Sequence, residues 1–424
     1  MKKSAVLHAV LALASLTLIS CHSGQQITKP PSGLTERVLA SQSASSPTAA
    51  GGLIIINGEY DTLARGEVSA GTSPGLLAIS PERVTLLAFD AATNRIQVVN
   101  AAKETSTGSI QLSGPTMSMV VPQEGVGYAA VPSAPLTGYA PGAVVELNLN
   151  SGGITGTISV PGAQTVVSNS GGTQLLVFSN DSDSITVVSP PLLATNSAVS
   201  IVVPGFDRPV NAVLSSDGST AYILNCGAEC GGTQASVQPL NLLTTPPTPG
   251  AAVPVDGATI AFLSGSTLYV AGNSPTNSAC TGETTAATTC GRLDLIDINS
   301  MTVTSSAVIT DGYHDRIDMG LGGQLFVGSM GCTNIGNVNN PQGEVRGCLS
   351  IFNTTNNAVV IPPDNGDVTG LQSFSSRYVE YVAEGGRLRV YDTTIDSLLL
   401  NTYITTGTIV VTGVITDVKA ADFF

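Results

Sequence analysis

The sequence predicts an all-β protein in which one small antiparallel sheet recurs around a closed ring. The first observation is compositional: of 424 residues, 42% are hydrophobic, 11% are charged, and 46 are Gly. Charge at less than half the usual quarter leaves long surface helices and coiled coils without their polar faces. The second is a recurring unit of strand, tight polar turn, strand, loop and two further strands. The third is that both ends of the repeat region carry strands lacking part of a sheet.

The formal charge is −14, and 14 − 30 = −16 once Lys2 and Lys3 are set aside with the leader. No nucleic-acid partner is expected of such a surface. Residues 1–20 read as a signal peptide: Lys2 and Lys3 precede an apolar run of Ala, Val and Leu over residues 5–19. It ends in Leu18-Ile19-Ser20-Cys21, which resembles the bacterial lipobox. The resemblance implies cleavage before Cys21, diacylglycerol on its sulfur and a further acyl chain on its amine. Several chains hold a protein to a membrane far more firmly than one. The alternative is an uncleaved span, for which the run is slightly short. The resemblance thus implies a bacterial envelope protein, moored on the periplasmic face or the cell surface, with the membrane as its partner through lipid. Residues 21–52, rich in Ser, Ala, Gln, Thr and Pro, read as the lipidated Cys and a tether, the alternative being that part of the segment packs on the domain.

From residue 53 to 424 the unit repeats. Its hairpins are clearest around Gly171, Asp217, Gly265 and Gly322, with weaker copies near Glu82, Glu124 and Ser376. Intervals between these markers run from about 42 to 57 residues, the period of a four-stranded propeller blade. Third and fourth strands are legible too, as in Arg95-Ile96-Gln97-Val98-Val99 and Arg387-Leu388-Arg389-Val390-Tyr391-Asp392. At the start, Leu53–Asn57 and residues 62–68 look like the last two strands of a blade whose first part is missing. Residues 408–424 offer one or two strands without outer partners. Pairing the two ends would remove the exposed edges. The expectation is a single β-propeller of seven or eight four-stranded blades, closed by N- and C-terminal strands; two β-sandwiches with repeated hairpins are the alternative.

Asp217-Gly218-Ser219-Thr220-Ala221-Tyr222-Ile223-Leu224-Asn225 resembles the YVTN family of β-propeller repeats, whose units run serine, proline, an Asp-Gly turn, then Tyr-Val-Thr-Asn. Leu268-Tyr269-Val270-Ala271-Gly272-Asn273 is a looser match, Ser216 stands where the family has proline, and most other units lack the Tyr and Asn. Family membership would permit a surface-exposed structural role. The absence of Trp separates the chain from WD40 repeats and from tryptophan-docked quinoprotein blades.

Seven Cys leave six once Cys21 is assigned to lipid. They fall two per repeat, always between second and third strands: Cys226 with Cys230, Cys280 with Cys290, Cys332 with Cys348. Three local disulfides in an oxidising compartment are the simplest account, although six Cys permit 15 connectivities. A thiolate metal site would want paired knuckles and nearby His, so neither metal nor cofactor is expected. Residues 132–141, 273–292 and 330–349 enlarge the same connection, and with the Cys226–Cys230 loop they make four enlarged loops on one face. This face either meets a ligand or partner, or carries tolerated insertions secured by disulfides.

His314 is the one imidazole outside the leader and tether. With Asp315 and Arg316 it precedes an inner strand, as Asp207 and Arg208 do in an earlier unit. These five residues are the candidate ligand site, suited to an anionic or sugar-like molecule through charge-assisted hydrogen bonds; the alternative is that they tie neighbouring blades together. Asp181-Ser182-Asp183-Ser184 and Asp364-Asn365-Gly366-Asp367 read as turns rather than calcium loops. No nucleophile elbow, Walker loop or His-Glu-x-x-His motif occurs, so no catalytic residue is assigned. The favoured role is a binding module for an unidentified envelope protein or small ligand. A hydrolase or lactonase-type enzyme, or a structural surface component, are the alternatives.

Overall fold

A computed structural model describes residues 30–44, 51–192, 199–274, 290–332, 336–337, 340–345, 347–362 and 366–422. The chain is a β-propeller of eight four-stranded blades arranged in a ring. Blade 2 shows the unit: Pro74–Ile79 innermost, then Thr85–Asp90, Arg95–Asn100 and Thr105–Gln111, each antiparallel to the last. All seven hairpin markers fall in turns between the first and second strands of blades 2 to 8. In two of these turns the tight reversal rests on Gly218 and Gly265, at φ 69° and 59°, which a Cβ would disfavour.

Blade 1 closes the ring. Its inner strand is Val414–Ala420, from the C-terminal end, paired with Arg37–Ser43, then Gly52–Asn57 and Thr62–Ser69. Leu53–Asn57 and the strand after it are therefore the last two of their blade, as expected. The tether boundary at residue 52 is corrected, because Arg37–Ser43 already lies inside the sheet. This strand, RVLASQS, hides its nature behind polar residues. Arg37 and Ser41 are fully buried yet bonded: Arg37 Nη1 donates to the Ala101 carbonyl and to Glu104, both at 2.7 Å, and Nη2 donates to the Ala421 carbonyl at 3.2 Å. Thr408–Ile409 belongs to blade 8, where it pairs with Arg387–Asp392.

The second and third strands of a blade are buried on both faces, which explains their near-continuous apolar runs, while the outermost strands, such as Thr62–Ser69 and Thr105–Gln111, are largely exposed. Leu53 and Ile55 pack toward blade 2, while Ile54 and Ile56 pack toward blade 8. Leu87 and Phe89 likewise face blade 3, and Leu86 and Ala88 face blade 1. The core is thus eight separate apolar layers, one per blade interface. No layer exists within a single unit, so the ring folds as one cooperative body.

Polar straps reinforce these layers. Asp417 Oδ2, on the inner strand of blade 1, accepts the Leu77 amide of blade 2 at 2.8 Å. Asp318 does the same between blades 7 and 8, accepting the Ser373 amide at 2.7 Å. At the closing seam, Arg377 of blade 8 grips fully buried Asp61 of blade 1 through two hydrogen bonds of 2.8 Å, and the Tyr381 hydroxyl donates to the same carboxylate.

Candidate functional site

The connections between second and third strands, and those from one blade to the next, share one face of the disk. The Cys226–Cys230 and Cys332–Cys348 disulfides are formed there, at sequence separations of 4 and 16. Cys290 is also disulfide-bonded; Cys280 lies outside the described residues, as do Cys21 and much of the 273–292 insertion. The Cys226–Cys230 loop does more than close itself. It holds Glu229, which accepts the Asn273 amide of blade 6 at 2.9 Å and whose carboxyl is pushed up by burial.

On this face the axis of the ring opens into a cavity of about 440 Å³, to which all eight blades contribute. Its lining follows from a recurring device. In six blades the inner strand carries a bulge near its start, at Gly75-Leu76, Gln164, Val210, Asp315, Thr369 and Thr416. A bulged residue has no cross-strand partner and its side chain is re-aimed. Every one of these residues lines the cavity.

The lining is mixed. Gln164 and Asn211 bring amides, Thr165, Thr369 and Thr416 hydroxyls, and Leu76, Phe89, Met117 and Ile260 apolar surface. Asp315 and Arg316 bring one charge of each sign, paired at 2.9 Å. The Arg316 guanidinium is fixed by donating from Nε to the Thr369 carbonyl at 2.7 Å. Burial raises the Asp315 carboxyl to about 6, with Arg316 pulling it down and Asp417 and Asp367 pushing it up. Its Oδ1 is buried without a hydrogen-bond partner. Tyr313 lies at the edge, its phenol pushed up by burial first and then by Asp315 and Glu229.

A second cavity of about 300 Å³ adjoins the first, sharing Gln164, Thr165, Val210 and Tyr313 with it. Arg208 and Cys230 form its outer wall. Arg208 sits at φ 56°, a left-handed conformation uncommon for a residue with a Cβ. Its guanidinium lies 3.7 Å from Asp181 and 3.8 Å from Asp183.

The five sequence-predicted residues therefore do not form one cluster. Asp315 and Arg316 reach the axis, and Arg208 reaches the side lobe. His314 does neither: it is fully buried, Nε2 lies 2.9 Å from the Thr310 carbonyl, and its own carbonyl accepts Thr259 Oγ1 at 2.7 Å. Burial lowers its imidazole to about 4. The bulge at Asp315 lets both Asp315 and Arg316 reach the cavity, with Tyr313 at its edge, and leaves His314 in the wall behind. Asp207 is turned into its own loop, accepting the amides of Thr233 and Gln234 and the Thr233 hydroxyl. Burial pushes its carboxyl up, and these bonds, with Arg208 beside it, more than offset that and leave it below the ordinary range. Sequence reasoning missed Gln164, Asn211, Tyr313 and Thr369, because a bulge leaves no mark in the apolar pattern.

Among the described residues, no three His, Cys, Asp or Glu side chains gather in a metal-binding group. The turn at Asp181–Ser184 instead faces Arg208, while Asp364 and Asn365 lie outside the described residues. No helix among the described residues is long and apolar enough to cross a membrane.

Comparison with known proteins supports the architecture. No family model and no curated protein matches the chain. Among solved structures, the dihydro-heme d1 dehydrogenase NirN in complex with DHE is similar at a TM-score of 0.61 and 9% identity, over 92% of this chain and 78% of that one. A Bacteroides uniformis protein provisionally assigned as a 6-phosphogluconolactonase gives 0.52 and 13%, over 91% and 99%. BamB from Moraxella catarrhalis gives 0.52 and 10%, over 84% and 92%. At such identities the likeness is one of fold.

Proposed function

We propose that the chain is a lipid-anchored, extracytoplasmic binding propeller that takes a small polar ligand, or a polar segment of an envelope partner, into the axial cavity. The observation that carries this is the lining itself. Six strand bulges deliver amide, hydroxyl, carboxylate and apolar groups to one opening whose volume suits a small molecule. The Asp315–Arg316 pair supplies a donor and an acceptor without net charge, which favours a neutral, hydroxyl-rich ligand over a simple anion.

The extracytoplasmic address is supported by the Cys226–Cys230 and Cys332–Cys348 disulfides, which persist in oxidising compartments. The lipobox-like Leu18-Ile19-Ser20-Cys21 supports the anchor, and Asp217–Asn225 supports kinship with YVTN repeats. The lactonase-type alternative asked for several carboxylates converging on the axis. Asp315 is the one carboxylate among the cavity's described lining residues, and it faces Arg316, so binding is the better reading.

A thermal-shift screen of neutral mono- and disaccharides and short peptides tests it, run on the wild type and on Asp315→Asn and Arg316→Ala. The expected result is a compound that raises the wild-type transition and loses its effect in both variants. Compounds that bind equally well to all three proteins, or a screen without any binder, would overturn the assignment of the cavity.

A further inference from the structure

The face opposite the cavity carries the turns between first and second strands and between third and fourth strands. At the seam of blades 7, 8 and 1 these turns expose Leu321, Tyr378, Ile395 and Tyr60, and the edge of blade 8 adds Leu400 and Tyr403. Ile395 and Leu400 are each 65% exposed, Tyr403 58% and Tyr378 54%. The turns that carry these residues adjoin one another. Leu321 belongs to the turn whose Gly322 packs on the Thr393 carbonyl; the Thr393 amide donates to the Tyr378 carbonyl at 3.0 Å; and Arg377 reaches Gly58 and Asp61 on either side of Tyr60. The rings of Tyr60 and Tyr403 lie 5.1 Å apart.

The N-terminal segment leaves the disk on the same face, bordering the patch at Glu36 and running on to blade 2. Glu36 precedes the second strand of blade 1, accepting the Gly58 amide at 2.9 Å and the Ser376 hydroxyl at 3.0 Å. Ser32 is pinned on Glu104 of blade 2, on the same face, its amide donating at 2.7 Å. Because the propeller begins before residue 37, only 32 − 21 = 11 residues separate this pin from Cys21. Eleven residues reach at most about 40 Å when fully extended. The blade strands alone put roughly 20 Å between this face and the opposite one.

Resting on the lipid anchor proposed above, we infer that this aromatic and aliphatic seam docks on the bilayer surface, so that the axial cavity and disulfide loops point away from the membrane. Tyr rings favour the headgroup region, where one end of the ring is apolar and the other is wet. Glu36 and Glu59 beside the patch, and the acidic chain as a whole, make the attraction apolar rather than electrostatic, so zwitterionic lipid suffices.

The chain has no Trp, so a single introduced Trp reports unambiguously. The full-length protein, made in a host that processes lipoproteins, is reconstituted into phosphatidylcholine vesicles with brominated acyl chains. Tyr60→Trp and Ile395→Trp should lose emission about twofold or more, as expected for a ring seated at the acyl boundary. Tyr139→Trp, on the cavity face, should keep its emission. If the mass of the protein shows an acylated Cys21 and Tyr60→Trp and Ile395→Trp are unquenched, or Tyr139→Trp is quenched as strongly, the docking face is overturned and the anchor stands. A mass showing unmodified Cys21 overturns the anchor and the docking face with it.

Discussion

The closing seam and the axial cavity use the same polar side chains to opposite ends. At the seam, Asp61 is fully buried and saturated by Arg377 and Tyr381, and at the neighbouring interface of blades 1 and 2 Arg37 is fully buried among two carbonyls and Glu104. At the cavity, Asp315 touches Arg316 through one oxygen while the other has no partner. A buried charge that is fully matched locks two blades together. One that is half matched, beside open volume, leaves hydrogen-bonding capacity for something that arrives.

The widest test of this contrast is to break the seam. Asp61→Ala strands the Arg377 guanidinium and the Tyr381 hydroxyl, and loss of one member of a buried pair costs about 3–5 kcal/mol. Denaturant unfolding should show that loss; a change below about 1 kcal/mol, the range of an exposed pair, would mean that the ring is held by its apolar layers alone.

The cavity should answer in the other direction. With its folded value near 6 against 3.8 unfolded, Asp315 holds its proton more tightly in the native state. Its charge therefore opposes folding progressively as pH rises from about 4 to 6, and fully above that. At 1.36 kcal/mol per unit the cost is about 2–3 kcal/mol. Asp315→Asn should gain stability relative to the wild type across that window and hold the gain above it. Parallel stability profiles for the two proteins from pH 4 to 7 would refute the burial argument.

The smallest effect should come from the bulges. Gln164→Ala removes an amide that lies outside the strand ladder, and stability should stay within about 0.5 kcal/mol. Calorimetry that finds a larger loss would make Gln164 a structural residue and not a ligand contact.

Much of the architecture could be read from the chain because the middle strands of each blade are buried on both sides and the strands are separated by tight turns. Runs such as Leu53-Ile54-Ile55-Ile56, and turns such as Ser216-Asp217-Gly218, announce that arrangement directly. Arg37–Ser43 escaped because its burial rests on partners at positions 101, 104, 417 and 421, which nothing nearby in sequence reveals. The site was legible only in part for a related reason. Asp315 and Arg316 stand out as charges before an inner strand, but whether a side chain enters the axis or the wall depends on a one-residue bulge. His314, one position away, shows what that step decides.

The bulges also bear on how such a ring changes over evolutionary time. A residue outside the ladder can be exchanged while the sheet around it keeps its register. Leu76, Gln164, Val210, Asp315, Thr369 and Thr416 then act like the pins of a lock, each cut independently on its own blade. Selectivity can drift by single substitutions, without rebuilding the barrel that holds the pins.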